Sequence, residues 1–384
     1  MRVAIVGAGP AGSQLAAKLA AGGMDVAVFD ASHPREKPCG GGLTGKALAA
    51  LPPAPEGDPL PARRVAQCRF EADGAAVDVA LGAPLAVAAR RDLDAWLLRR
   101  ATDAGARHVA ERVVAVDRGQ VRTAAAGWRR FDLVVGADGA TSLVRRRFLG
   151  TLPRERLVMA VGWFLPGTAP MLVRLTPPLA GYLWLFPRPD HVGVGICAPL
   201  GEVPPRALVD RLEQELAQRF PEMLDSTVER YAHTIPCPSA DPRSILEVAG
   251  EGFALVGDAA ALADPITGEG IYYALRSATL LAETLFAEGS PARYPERAME
   301  DFGRDLTKAA RLHRRFYTPG FAGRMVRYAA RSSAIRAVLV DLVLGRQGYL
   351  GLERRLLVAL PRFLVEASWA RLRVQAGAGG PLAS

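Results

Sequence analysis

Cysteine is scarce and scattered in this sequence: Cys39, Cys68, Cys197 and Cys237 form no CxxC pair, and the five histidines show no metal-ligand spacing. A disulfide framework and a zinc site are therefore excluded, and no metal is expected. No stretch reaches the roughly 18 uninterrupted apolar residues needed to cross a bilayer. The opening MRVAIVGAG breaks at glycines before the apolar core of an export signal could form, so the expected location is the cytoplasm. Internal repeats are missing, and low complexity is confined to a glycine-rich tail, Ala376 to Ser384, that reads as frayed. What is present is a 384-residue chain, half apolar and 23% charged, which suits a folded globular enzyme of about two to three domains.

The net charge of +9 is uneven. From Arg311 to Arg373 arginines recur against only Asp341, Glu353 and Glu366, and apolar runs such as AVLVDLVLG and RRLLVALPRFLVEASWARL lie between them at helical spacing. That pattern suits an interfacial helix on an anionic membrane, and it equally suits an amphipathic helix packed on a core. Composition does not choose between the two, and nothing in it calls for a nucleic-acid partner.

Val3 to Val6 reads as a short strand, Leu15 and Leu19 as a helix face, and Val26 to Phe29 as a second strand, giving strand, turn, helix, strand. Ala31 to Gly45 is too rich in proline and glycine for a regular element and reads as a loop beside whatever the first unit binds. Arg63 to Leu81 alternates as a hairpin turning at Asp73 and Gly74, and Arg91 to Ala104 is helical. Phe131 to Gly136 is a buried strand, and Leu157 to Ala198 breaks into short antiparallel strands. Pro204 to Phe220 is helical, Phe253 to Val256 is a strand leading into a helix from Gly270 to Phe286, and everything beyond Tyr294 is helical.

Between the first strand and helix stands GAGPAG, residues Gly7, Ala8, Gly9, Pro10, Ala11 and Gly12, with Asp30 ending the next strand. Gly7 permits a tight turn, Gly9 lets backbone approach a pyrophosphate, and Gly12 allows close helix–sheet packing. The helix start faces the phosphates, and Asp30 accepts from ribose hydroxyls. These residues specify a dinucleotide site and leave flavin and nicotinamide open.

Two later segments carry a family resemblance. FDLVVGADGATSLVRR, with Asp138, and FALVGDAAALADPITGEGIYYAL, with Asp258, resemble the second and third nucleotide-binding segments of the p-hydroxybenzoate hydroxylase-like flavoproteins. The resemblance implies FAD, with Asp258 on the ribityl chain and Gly268, Gly270 and Ile271 in a turn whose helix start points at the flavin ring. It also places Arg90, or the adjacent Arg91, against the cofactor and the backbone of Val113 beside the adenine. The implied fold class is α/β: a Rossmann-type FAD-binding domain (residues 1–60, 86–150 and 240–290), an antiparallel-sheet substrate domain (61–85 and 151–239) and a helical C-terminal part (291–384).

Within that superfamily the chain resembles the geranylgeranyl reductase family up to about residue 290. The segment KPCGGGLTGKAL is similar to the family's flavin-wrapping loop, bringing Cys39, Gly40 and Gly42 to the cofactor and offering Cys39 as a proton donor or a small group beside the ring. GYLWLFPRPDHVGVGI is similar to the family's YxWxFPK signature, with Arg188 where lysine is usual. Tyr182, Trp184 and Phe186 alternate with Leu183 and Leu185, so on a strand they share one face and line an apolar tunnel. Tyr182 and Trp184 are also the candidate catalytic residues.

The implied activity is saturation of carbon–carbon double bonds in a polyprenyl chain carried by a lipid, quinone, chlorophyll-type or diphosphate substrate. Electrons come from NAD(P)H or a ferredoxin-type donor, since no second glycine-rich βαβ unit is visible. The alternatives are an aromatic hydroxylase or halogenase-like monooxygenase, a redox-neutral isoprenoid cyclase, and a flavin electron-transfer protein without turnover of its own. The basic C-terminal part is the candidate for peripheral membrane contact.

Overall fold

The computed structural model describes residues 1–221, 229–318 and 320–377. The chain opens with β1 (Arg2–Val6), α1 (Pro10–Ala21) and β2 (Asp25–Phe29), and each strand is buried on both faces after its exposed first residue. Full burial explains why both strands are apolar without alternation. Pro10 starts α1, where a missing N–H costs nothing, and Gly22 ends it.

The segment expected to be irregular from Ala31 to Gly45 contains β3 (Gly42–Leu43) and leads into α2 (Gly45–Ala50), which Thr44 caps through Ala47 N. The hairpin of β4 (Arg63–Ala72) and β5 (Ala75–Val87) turns as the alternation indicates. Asp73 (φ 46°) and Gly74 (φ 72°) take the left-handed conformations that a tight two-residue turn demands. Next come α3 (Arg90–Asp103), β6 (Arg107–Val109), β7 (Val113–Asp117), β8 (Gln120–Thr123), β9 (Trp128–Arg130), β10 (Leu133–Gly136) and α4 (Leu143–Phe148).

Four strands follow, β11 (Leu157–Pro166), β12 (Leu172–Leu175), β13 (Tyr182–Pro187) and β14 (His191–Pro199), then α5 (Pro205–Arg219) and β15 (Glu229–Pro236). The chain returns to the first unit through α6 (Arg243–Leu246), β16 (Ala249–Gly250), β17 (Phe253–Leu255) and α7 (Ile271–Glu288). It ends in α8 (Tyr294–Ala298), α9 (Arg304–Phe316), α10 (Phe321–Arg331), α11 (Ser333–Val343) and α12 (Leu352–Gly377). Of the expected glycine-rich tail, residues 378–384 lie outside the described residues.

Among the described residues three sheets form. The first runs β16-β17-β10-β1-β2-β6, parallel except at β16, with α1, α3 and α7 packed together. The second runs β15-β11-β14-β13-β12-β4-β5-β3 and is antiparallel apart from the β12–β4 pair. A small third sheet joins β7, β8 and β9. The long second sheet has its two faces used differently. Leu183 and Leu185 join Leu208, Leu212 and Leu216 of α5 in one core, while Ala160, Trp184 and Cys197 form a separate cluster on the opposite face. Further along, α10 and α11 pack over β4 and β5 through Val326, Ala329, Ile335 and Val340. The stretch AVLVDLVLG, one of the two amphipathic runs, therefore faces inward.

Candidate functional site

At the carboxyl ends of β1, β10 and β17, where open parallel sheets bind ligands, a cavity of about 650 Å³ opens and continues beneath the second sheet to α11. Gly7, Gly9, Pro10 and Ala11 line one end; Leu339, Leu342 and Val343 line the other. Gly7 takes φ +100°, and a side chain there would meet the backbone of Ala137; one at Gly12 would strike the carbonyl of Gly7. Gly9 differs: its nearest neighbours to an added Cβ are Arg90 Nη2 at 3.9 Å and Asp94 Oδ2 at 4.0 Å, so the space above it is free. Gly12 lies behind the cavity wall and serves packing.

The N-terminus of α1 carries no capping side chain and no acidic residue, and neither does that of α7, which follows Gly270. Two uncapped helix starts thus leave N–H groups and positive dipole ends for an external anion. Gly268, at φ +69°, Gly270 and Ile271 line the cavity at the second of these starts.

Asp30 sits behind the glycine turn and accepts from Ala8 N at 2.9 Å and from Ser32. Burial raises its carboxyl pKa, yet these bonds pull it below the usual value. Arg90 is buried and grips Asp94 through two bonds of 2.8 and 2.7 Å, with its guanidinium in the cavity wall. Arg91 points outward to Asp92, with 54% of its side chain exposed, so Arg90 is the arginine at the cavity. Val113 opens β7, outside the cavity lining.

The two later aspartates behave differently. Asp138 lines the cavity but spends its carboxylate on the start of α4, accepting from Ser142 Oγ at 2.5 Å and Leu143 N at 2.6 Å. Asp258 does not cap α7; it pairs with Lys37 at 3.1 Å. Burial pushes the Asp258 carboxyl up, and Lys37, with His233 and Arg90 around it, overcomes this and holds it low.

Cys39 is half-buried in the wall, its Sγ accepting from Gly41 N at 3.3 Å. Gly40 and Gly42 press so closely on Phe186 that a Cβ at either would lie 2.7 to 3.0 Å from its ring. Tyr182, Trp184 and Phe186 all face the cavity, as the period of two demands. The Tyr182 hydroxyl donates a hydrogen bond to Thr267 O at 2.5 Å, and burial raises its pKa well above normal. Beyond them the wall turns apolar with Phe70, Leu85, Met171, Val173 and Leu175.

Sequence reasoning missed several groups here. Lys37 lay inside the quoted loop but was not singled out. His233 on β15 lines the cavity with Nε2 buried and without a hydrogen-bond partner. Burial, then Lys37, drops its pKa to about 4. Asp264, pushed up by burial, accepts from Tyr349 at 3.0 Å, and Lys46 pairs with Glu269 at 2.7 Å. Each pairing spans a long sequence separation, and no local pattern announces it. Among the described residues no cluster of potential metal ligands exists.

These features fit a flavin dinucleotide. Gly9 leaves a cradle that a side chain would fill, two helix starts await negative charge, and His233 offers an unused ring nitrogen beside the Lys37–Asp258 pair.

No family model matches the sequence. It is 31% identical over 369 residues to the menaquinone reductase of Mycobacterium tuberculosis, covering 89% of this chain and 90% of that protein. It is 28% identical over 324 residues to the geranylgeranyl diphosphate reductase of Synechocystis sp., covering 75% of each. Among solved structures, a geranylgeranyl bacteriochlorophyll reductase-like protein from Thermoplasma acidophilum superposes with a TM-score of 0.75 at 21% identity, covering 93% of this chain and 98% of that one. A flavin-dependent brominase reaches 0.66 at 21% identity, covering 89% and 93%, which shows a shared fold.

Proposed function

The chain belongs to the family of FAD-dependent reductases that includes the menaquinone and geranylgeranyl diphosphate reductases, and from that premise we propose that it saturates double bonds in the prenyl tail of a quinone. The observation that carries this reading is the continuity of the cavity, which joins the dinucleotide end to an apolar arm walled by Met171, Val173, Leu175, Leu339 and Val343.

The head group follows from charge. Every cation lining the cavity has a carboxylate partner: Arg35 with Asp30, Lys37 with Asp258, Lys46 with Glu269 and Arg90 with Asp94. Along the cavity wall Lys46 stands with Glu269, Asp305 and the buried Asp264. A diphosphate meets an acidic surplus there, whereas a neutral quinone does not.

When bound, the reduced flavin supplies the hydride that reaches one alkene carbon. The chain's own residues do the rest. The starts of α1 and α7 hold negative charge, and Trp184 and Phe186 keep water from the reacting carbons. Cys39 and Tyr182 are two of the proton-bearing groups at the wall, beside the aromatic strand. The Tyr182 hydroxyl is engaged in a hydrogen bond to Thr267 O, so Cys39 is the better donor to the second carbon. Electrons enter from NAD(P)H visiting the cavity or from a ferredoxin-type protein; reduction of the oxidised enzyme by each, followed at the flavin absorbance, separates the two.

We also infer contact with an anionic membrane through α12. Leu357 is 69% and Val358 74% exposed, with Arg354 and Arg362 also on the surface. No helix among the described residues is long and apolar enough to cross a membrane, so such contact is peripheral.

The decisive experiment mixes reduced enzyme anaerobically with a menaquinone, with geranylgeranyl diphosphate, and separately with aromatic acids plus oxygen. Reoxidation of the flavin by the quinone, with two hydrogens added to its tail, is the expected outcome. Reoxidation only by an aromatic acid with oxygen, yielding a hydroxylated product, would replace this reading with the monooxygenase one that the brominase-like fold also accommodates.

A further inference from the structure

The alternation along β13 carries on just past the strand's end at Pro187. Continuing the period of two past Tyr182, Trp184 and Phe186 brings Arg188, whose side chain is fully buried. Its guanidinium has three partners on two segments, the Glu36–Gly42 loop and the start of β14. Nη1 donates to Glu36 Oε1 at 2.9 Å and lies 3.0 Å from His191 Nε2, and Nη2 donates to Cys39 O at 2.5 Å. The group also stacks over Phe164, 4.6 Å from the ring centre. Room for it comes from two glycines: a Cβ on Gly193 or on Gly41 would sit within 3.3 to 3.5 Å of the guanidinium.

Glu36 is committed in turn. Its Oε1 accepts from Arg90 N at 3.0 Å and its Oε2 from Arg91 N at 3.1 Å, so one carboxylate caps α3 and holds Arg188 together. His191 directs Nδ1 to Asp190 at 2.6 Å, and the neutral tautomer with its proton there accepts from Arg188 at Nε2. The substrate sheet, the start of α3 and the loop carrying Cys39 thus meet at a single guanidinium.

Such a group is poorly explained by stability. A buried ion pair tends to roughly balance its own desolvation, and Arg188 also leaves Nε buried without a partner. What it does fix is geometry: the carbonyl of Cys39 is held where the next residues, Gly40 to Gly42, lie flush on Phe186 and the carbonyl of Ala88.

We propose that Arg188 is a positioning residue that keys the Glu36–Gly42 loop to the substrate sheet, setting the Cys39 thiol at the cavity wall in register with the aromatic strand. This rests on the reductase reading for its catalytic consequence, though its structural content stands without it. A planar fork bonding to two acceptors at fixed angles does what a single ammonium point does less well.

The test compares R188A, R188K and E36Q in the full chain, with and without FAD. Cys68, Cys197 and Cys237 are buried, so iodoacetamide labelling of the native protein reports on Cys39, with C39S as the blank. R188A is expected to raise the labelling rate about tenfold and lower single-turnover kcat about tenfold, leaving KM for the prenyl substrate within about threefold. R188K is expected to restore part of both, falling between R188A and wild type, and E36Q to raise labelling less than R188A does. If R188A does not fold, R188K and E36Q carry the comparison, and both must depart from wild type in labelling. The proposal is overturned if labelling and kcat stay at wild-type values, or if R188K is as impaired as R188A, which would mark a purely structural role. Labelling reads the loop without any substrate; should no prenyl compound reoxidise the enzyme, the key is still tested, and if the key fails while turnover persists, the reductase reading stands.

Discussion

The two ends of the cavity are built from different materials. At the dinucleotide end the chain presents backbone: Gly7, Gly9, the open start of α1 and the open start of α7. At the tail end it presents side chains from separate sheets and helices, among them Trp184, Met171, Leu175 and Leu342. Backbone recognition needs glycines at fixed short spacing and fails through steric intrusion, whereas a side-chain wall erodes by degrees as volume is removed.

Substitutions at two glycines sharpen that contrast most. Gly12→Val drives a side chain into the Gly7 carbonyl, and the cofactor-free protein should lose about 3 kcal/mol or fail to fold. Gly9→Leu meets open space and an extended backbone, so denaturant unfolding of the cofactor-free protein should hardly change while FAD uptake is lost. Equal stability losses would show that both glycines serve packing alone.

At the other end, Trp184→Ala is expected to leave FAD binding and reduction by the donor intact and to slow prenyl reduction about a hundredfold. Full turnover in that variant would break the division of labour between the two ends.

His233 stands between them and should give the cofactor-free protein a pH dependence. Its pKa of about 4 lies below the ordinary imidazole value, so the unfolded chain takes up the proton first. Stability is then whole above about pH 6.5, falls as pH drops toward 4 and levels off below, by on the order of 2 kcal/mol after discounting for partial exposure. Urea midpoints across that range should show the slope in wild type and a flatter one in His233→Leu. The unused Nε2 also predicts weaker FAD binding in that variant.

The smallest effect separates the aspartates. Asp258→Ala should weaken FAD about tenfold by stranding Lys37, while Asp138→Ala should cost about 1 kcal/mol of stability through the lost α4 cap and leave the flavin spectrum nearly unchanged. Titration of cofactor-free protein with FAD reads the first, and thermal unfolding the second.

What could be read from sequence tracks these materials. GAGPAG places its requirements within six residues, and the aromatic face of β13 repeats every second residue, so both were visible without a structure. Glu36 with Arg188 and Lys37 with Asp258 lie 152 and 221 residues apart, and only the tertiary fold pairs them. The amphipathic runs near the C-terminus split for the same reason: Val340 and Leu344 turn inward over β5 and Val338 packs against Ile266 and Tyr349, whereas Leu357 and Val358 remain on the surface, and periodicity alone registers a face without saying what covers it. Asp138 was legible as a motif residue, but its bond to α4 was not.

The hairpin turn at Asp73 and Gly74 has a consequence for engineering. Gly323 of α10 rests directly on it, and a Cβ there would lie 2.6 Å from Asp73 Cβ. α10 is therefore seated on the hairpin without a spacer, and it packs on α11, whose Leu339, Leu342 and Val343 line the tail arm. Adding one methyl at Gly323 is expected to act as a shim that shifts α10 on β5 and, through α11, changes the arm, and trimming Asp73 to glycine, which its left-handed backbone accepts, is expected to let α10 settle again. Bore is thus adjustable from a point on the rim that touches neither cofactor nor substrate, a handle for choosing which tails the enzyme admits.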